Sequence, residues 1–168
     1  MHQRLLEKEL KAKRIEQFIM DNQVPVVTLR LNIPGSDKKP KWSNVLFSEA
    51  EKLLYEHLDQ LGFDYEILGE LLEFEYYEHL RIIAVKGPAK VIKREMIAIE
   101  NDEAIGRLVD LDVIDIDFKG LSRSEYDLGH RKCFLCDEPA YVCARTQRHS
   151  KEALMEFMIL KAQTLLDK

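Results

Sequence analysis

The sequence predicts an α+β fold, and three observations carry that prediction. Over residues 24–118, segments with the two-residue period of a strand and segments of helical period follow one another in the order β-α-β-β-α-β. Glycine and proline mark several of the element ends. A further segment of helical period lies on each side of this core. The order is that of a split βαβ, or ferredoxin-like, core: an antiparallel four-stranded sheet with both core helices on one face.

Residues 4–22 place Leu5, Leu6, Leu10, Ile15, Phe18 and Ile19 in an approximate apolar stripe among Lys, Arg and Glu, which predicts a helix. In Val24–Ile33, Val27, Leu29, Leu31 and Ile33 share one face of a strand, with Val26, Thr28, Arg30 and Asn32 on the other. Pro34-Gly35 ends it, and the polar stretch Ser36–Lys41 is a loop. A helix begins at Ser43 or Asn44, either of which suits an N-cap, and runs through Leu46, Ala50, Leu53, Leu54, Leu58 and Leu61 to a stop at Gly62. Phe63–Phe74 and His79–Lys86 read as two strands joined through Glu75–Glu78. Gly87-Pro88 opens the second core helix, with Pro88 at its first position and Val91, Ile92 and Ile99 turned inward. That helix ends near Asn101-Asp102, and Arg107–Phe118, rich in β-branched residues, is the last strand. Right-handed crossovers then set the first and last strands side by side in the middle of the sheet. Leu121–His149 is loop-rich, and Ser150 caps a terminal helix over 150–167 that carries Leu154, Met158 and Leu165. The whole, residues 1–168, fits one domain: a 24–118 core followed by a Cys/His segment and helix over 121–168.

With 46% hydrophobic and 33% charged residues, the balance is that of an ordinary globular protein. No apolar run approaches the roughly 20 residues that span a bilayer, and Met1–Glu9 lacks the apolar stretch of a signal peptide. A cytoplasmic location without membrane attachment is therefore expected. The net charge of −5 argues against a general nucleic-acid binder, whose affinity rests on basic groups meeting phosphates. Charge is unevenly placed, however. Arg123, Arg131, Lys132, Arg145, Arg148 and Lys151 outnumber Glu125, Asp127, Asp137 and Glu138 in the same stretch. A local basic pocket of this kind suits a small polyanion better than a duplex.

Three groups of residues can carry chemistry. Asp110-Leu111-Asp112 lies within the last strand, where residues i and i+2 face the same way with Cα atoms about 7 Å apart. Two carboxylates so placed can converge on one hard cation such as Mg²⁺, whose remaining waters a phosphate can replace. The same spacing also suits an edge strand whose acids simply face water. If the pair is buried, it requires a compensating charge. Asp115 and Asp117 would sit on the opposite face of a regular strand, turned to solvent. The second group is Cys133-x2-Cys136-x6-Cys143-x5-His149, in which all three cysteines fall within eleven residues. Three thiolates and an imidazole are the ligands zinc prefers, although the cysteines would also serve as small buried hydrophobes. The third is the set Arg107, Arg123, Arg131, Arg145 and Arg148, whose guanidinium groups grip phosphate oxygens in pairs. His130 is a candidate acid or base.

The block Gly106-Arg-Leu-Val-Asp-Leu-Asp-Val113, followed by Leu121-Ser-Arg-Ser-Glu-Tyr126, Arg131-Lys-Cys-Phe-Leu-Cys136, Ala140-Tyr-Val-Cys-Ala-Arg145 and His149, resembles the apo-citrate lyase phosphoribosyl-dephospho-CoA transferases. These are also called holo-citrate-lyase acyl-carrier-protein synthases. A weaker likeness reaches Val24–Leu29 and Asn32–Gly35. The resemblance implies a nucleotidyltransferase that moves 2′-(5″-phosphoribosyl)-3′-dephospho-CoA from its triphosphate precursor, 2′-(5″-triphosphoribosyl)-3′-dephospho-CoA, to a serine of the citrate lyase acyl-carrier subunit and releases pyrophosphate. Placed on that reaction, Asp110 and Asp112 hold Mg²⁺ against the triphosphate, and Arg107 acts beside them at the reacting phosphates. Arg107, Arg131, Arg123 and Arg145 grip the phosphates, and the Cys/His set holds the following loop over the site, with or without zinc. Two other readings fit the same residues: a nucleotidyltransferase with another acceptor, and a non-catalytic, metal-stabilised docking module.

Overall fold

The structure, a computed structural model, describes residues 2–69, 79–102 and 104–167. Nine elements of helix and strand are distinguished among them: α1 (His2–Asn22), β1 (Val26–Leu31), α2 (Ser43–Leu61), β2 (Tyr65–Ile67), β3 (Leu80–Val85), α3 (Ala89–Glu100), β4 (Val109–Ile114), α4 (Ala140–Thr146) and α5 (Lys151–Leu166). The four strands form one antiparallel sheet in the order β2-β3-β1-β4. The protein is thus a mixed α+β chain built on an antiparallel four-stranded sheet. The second strand covers only Tyr65–Ile67, starting later and ending sooner than expected, because Leu68 and Gly69 leave the extended ladder. Residues 70–74 of that expectation, the Glu75–Glu78 connection and the side chain of Leu5 lie outside the described residues.

Strand alternation divides the core in two. Val27, Leu29 and Leu31 of β1, Ile83 and Val85 of β3, and Val109, Leu111 and Val113 of β4 face Leu46, Ala50, Leu54 and Leu58 of α2 and Ile92, Met96 and Ile99 of α3. Both core helices therefore cover one face, as the periodicity predicts. Met158 and Ala162 of α5 join the same core. On the other face, Val26, Leu80, Ile82 and Ala84 meet Ile15 and Ile19 of α1. Leu6 and Leu10, farther up that helix, remain exposed.

Several boundaries differ from expectation. β1 and β4 are neighbours, but β3 and β1 form the middle and β4 is an edge. One side of β1 is taken by β3, and α3 returns the chain to the other side. β4 is also shorter than Arg107–Phe118. Gly106–Leu108 is a 3₁₀ turn in which a Cβ on Gly106 would lie 2.0 Å from the Ile99 carbonyl oxygen, so the chain presses against the end of α3 before it extends. At the far end Asp115–Phe118 closes a turn, with the Phe118 amide donating to Asp115 O at 2.9 Å. Ser43 does not cap α2; Trp42 holds that position, and the buried Ser43 hydroxyl lies 2.7 Å from His79 Nε2. Pro88 is the N-cap of α3 rather than its first residue, and Val91 is exposed. The loop-rich tail contains the short helix α4 after Pro139. Ser150 caps α5 as expected, its hydroxyl accepting from the Ala153 amide at 3.1 Å. Among the described residues no helix is long and apolar enough to cross a membrane.

Candidate functional site

Strand register places the acid pair. Arg30 of β1 is opposite Asp110 of β4, and Thr28 is opposite Asp112, so both carboxylates project from the face that α2 and α3 leave open. Their nearest cation is Arg30, whose Nη2 donates to Asp110 Oδ2 at 2.6 Å and to Asp112 Oδ2 at 2.9 Å. Asp112 is half exposed, and its pKa is raised by partial burial and by the neighbouring Asp110 charge, with Arg30 and Lys93 opposing the rise. Two carboxylates on one face can share a cation, and in this structure Arg30 takes that place.

The edge of β4 is covered by side chains of α3. Leu111, whose backbone points away from β1, receives Lys93 Nζ on its carbonyl oxygen at 2.9 Å, and its amide donates to Glu100 Oε1 at 2.9 Å. Edge backbone groups that would otherwise be open to another strand are thereby satisfied. Lys93 is buried, and burial lowers its pKa. Glu100, also buried, is gripped by Arg123 through Nε at 3.0 Å and Nη2 at 2.7 Å. Arg131 then ties the two acidic groups together: Nη2 is 3.4 Å from Glu100 Oε1 and Nη1 is 3.3 Å from Asp110 Oδ1.

Arg131 also lines a cavity of about 800 Å³ at the end of the sheet, between the Asn32–Gly35 loop, the Cys133 loop and the start of α5. Its charged walls are Arg107, Arg131, Lys132 and Lys151, against a single acid, Glu152, while Phe134, Ala140, Ala144 and Leu154 supply an apolar side. Gly35, at φ +88°, lies so close beneath the Lys151 side chain that a Cβ would meet Lys151 Cε at 2.4 Å. The amino end of the sixteen-residue helix α5 opens onto the same space and adds its partial positive charge.

The proposed phosphate ligands thus separate. Arg107 and Arg131 line the cavity, and Arg107 Nη1 donates to Cys133 O at 3.1 Å. Arg123 is engaged by Glu100 and by Asn101, at 3.2 Å, and is not among the lining residues. Arg145 is exposed on α4 and also lies outside the lining, while Arg148 pairs with Glu138 at 3.4 Å. His130 stacks edge-on against Tyr141, with ring centroids 5.0 Å apart. Asp115 accepts from the Ile116 amide within its turn, and Asp117 pairs with Lys119, both outside the strand.

Sequence reading missed Arg30, Glu100 and Lys93, while Lys132 and Lys151 of the expected basic stretch do line the cavity. For Arg30 a signal existed: a lone cation in an otherwise apolar strand, beside an acid pair that needed one. Lys93 and Glu100 carried none, since seven residues apart on a helix they merely continue one face.

The last group is Cys133, Cys136, Cys143 and His149, whose ligand atoms all lie within 4.8 Å of one another. Cys133 and Cys143 are buried. The hydrogen bond from His149 lowers the Cys136 pKa to about 7, and burial together with the neighbouring thiols pushes Cys143 up to about 12.

Residues 1–164 match the family model described as apo-citrate lyase phosphoribosyl-dephospho-CoA transferase. The chain is 31% identical over 155 residues to a Vibrio cholerae serotype O1 protein named a probable apo-citrate lyase phosphoribosyl-dephospho-CoA transferase, covering 92% of this chain and 86% of that one. It is 27% identical over 154 residues to the proteins of the same name, without the qualifier, from Shigella flexneri serotype 5b and Escherichia coli O157:H7. Those two matches each cover 92% of this chain and 83% of the relative. With a family model spanning nearly all of its length, this chain belongs to the apo-citrate lyase phosphoribosyl-dephospho-CoA transferase family.

Proposed function

We propose that this protein transfers the phosphoribosyl-dephospho-CoA group from its triphosphate precursor to a serine of the citrate lyase acyl-carrier subunit, in the cytoplasm, with release of pyrophosphate. The family name supports the group and the acceptor protein. The observation that carries the reading to these residues is the double role of Arg131, which lines the basic cavity and pairs with Asp110 of the acid pair. A triphosphate lying in that cavity has its reacting end beside the carboxylates. The strand order and the two helices on one face support a ferredoxin-like core as the frame.

Each residue has a part that follows from its place. Arg107, Arg131, Lys132 and Lys151 bind and orient the polyphosphate, and the Phe134–Leu154 side of the cavity receives an apolar portion of the precursor. Asp110 and Asp112 would hold Mg²⁺, which when bound offsets charge on the phosphates as pyrophosphate leaves. Arg30 keeps the two carboxylates together and turned to the same side. The carrier serine is the nucleophile, so the protein forms no covalent intermediate. The serine proton is assigned to Asp110 or Asp112, with His130 as the other candidate base.

The test is pyrophosphate release. Purified protein, Mg²⁺, the triphosphate precursor and apo-carrier are expected to release one pyrophosphate per carrier, and a carrier whose acceptor serine is replaced by alanine is expected to release none. Equal release with both carriers would reject the serine acceptor.

A further inference from the structure

The Cys/His cluster has a geometry that a reduced, metal-free core does not need. Cys136 Sγ lies 3.5 Å from Cys143 Sγ, and His149 Nε2 lies 3.2 Å from Cys136 Sγ. A tetrahedral zinc, with Zn–S of about 2.3 Å and Zn–N of about 2.0 Å, sets S···S edges near 3.8 Å and S···N edges near 3.5 Å. The observed pairs fall close to those edges, and the widest separation in the quartet, 4.8 Å, is about one ångström beyond them. All three cysteines are free thiols. Three of them cannot pair off as disulfides, and the fourth member is an imidazole aimed at sulfur.

The backbone prepares the site in the same way. Cys133 and Cys136 lie on a tight loop closed by two backbone hydrogen bonds, the Cys133 amide to Glu138 O and the Ala140 amide to Arg131 O, each 2.8 Å. Cys143 comes from α4, and His149 comes from the residue that precedes the cap of α5. Four ligands from three separate segments meet at one point in a stretch that otherwise has little regular structure.

We infer that Cys133, Cys136, Cys143 and His149 bind one structural Zn²⁺, and that this centre fixes the wall of the polyphosphate cavity. Four protein ligands close the tetrahedron and leave no position for substrate or water, so the centre organises rather than reacts. What it organises is specific. Arg131 and Lys132 directly precede the first ligand, the Cys133 carbonyl receives Arg107 at 3.1 Å, and Lys151 follows the last ligand by two residues. All four cavity cations are therefore tied to the ligand set through the chain or by one hydrogen bond. Cys133, Cys143 and His149 themselves line the cavity. Binding requires the thiols as thiolates, and the protons they release go to solvent.

The intact protein, purified without chelator or added metal, is expected to carry about one zinc per chain by elemental analysis. Exchange into Co²⁺ is expected to give the sulfur-to-cobalt charge transfer and the strong visible bands of a tetrahedral site. His149→Ala is expected to lose most of the metal, whereas His149→Cys retains it with stronger charge transfer, which separates ligation from a folding defect. Amide exchange over residues 131–150 is expected to speed up when zinc is removed, while β1 and β4 keep their protection. Folded protein that carries less than a tenth of an equivalent of zinc and takes up no Co²⁺ overturns the inference. So does a mass two daltons lower, with one free thiol left, which identifies a disulfide instead. Neither readout depends on the transferase reaction, so loss of the zinc centre and loss of the proposed function are separable outcomes.

Discussion

Arg131 Nη1 lies 3.3 Å from Asp110 Oδ1, and this contact joins two features that lie twenty-one residues apart in sequence. On one side is a carboxylate pair on an edge strand, and on the other a cavity with four cations. Neither alone specifies a reaction. Joined by Arg131, they resemble the two ends of a metal-polyphosphate site.

Asp110→Asn removes the negative charge but keeps the shape and a partner for Arg30. Transfer is expected to fall by roughly 10² to 10³ in kcat, the size of effect seen when one preorganised charge-stabilising group is lost. The denaturation midpoint is expected to move little, because the substitution also relieves repulsion with Asp112. Single-turnover kinetics and urea unfolding on the same preparation check both parts.

Arg131→Ala is expected to raise KM for the triphosphate precursor about tenfold or more, since a charge-assisted contact is worth about 1.5–3 kcal/mol. Arg145→Ala, exposed and outside the cavity lining, is expected to leave KM within about twofold. Equal effects from the two would show that the basic stretch acts diffusely rather than through the cavity.

Both what was legible in the sequence and what was not can be traced to particular residues. Alternation in Val26–Leu31 and Val109–Ile114 settles which face is apolar, and so it settles that Asp110 and Asp112 project together. Period and the Gly62 stop likewise locate α2, and period with the Ser150 cap locates α5. The sheet order was partly hidden, because nothing in β4 alone says whether another strand will cover its outer side; Lys93 and Glu100 do so from α3. Arg123 and Arg107 look alike in sequence, yet one is engaged by a buried glutamate and the other opens onto the cavity. That difference is set by tertiary packing around Glu100, which no local pattern encodes. The metal-ligand spacing of the cysteines is legible directly, and their convergence with His149 is what folding adds.

Glu100→Ala tests the packing. It leaves Arg123 and the Leu111 amide without their acceptor in a buried setting and is expected to destabilise the protein by about 3–5 kcal/mol. Glu100→Gln, which keeps an acceptor oxygen, is expected to cost less. Urea midpoints of the three proteins at neutral pH give the comparison.

His79 gives a pH dependence with a defined sign. It is buried against Ser43 and stacked on Phe47 at 4.7 Å, and burial lowers its pKa below 6.5, with the Lys39 charge adding to the shift and Glu51 opposing it. The unfolded chain therefore binds the proton more readily than the folded one. Stability from this group is complete above pH 6.5 and is lost as the pH falls from 6.5 through the lowered folded value. His79→Gln is expected to flatten that part of the stability curve, which urea midpoints at pH 7.5 and pH 5 will show.

The intact mass of the carrier subunit tests the central claim most directly. Apo-carrier incubated with this protein, Mg²⁺ and the triphosphate precursor is expected to gain a single increment equal to one phosphoribosyl-dephospho-CoA group, and to gain none when Asp110→Asn replaces the enzyme in a short incubation. An unchanged carrier mass with folded wild-type protein would contradict the account.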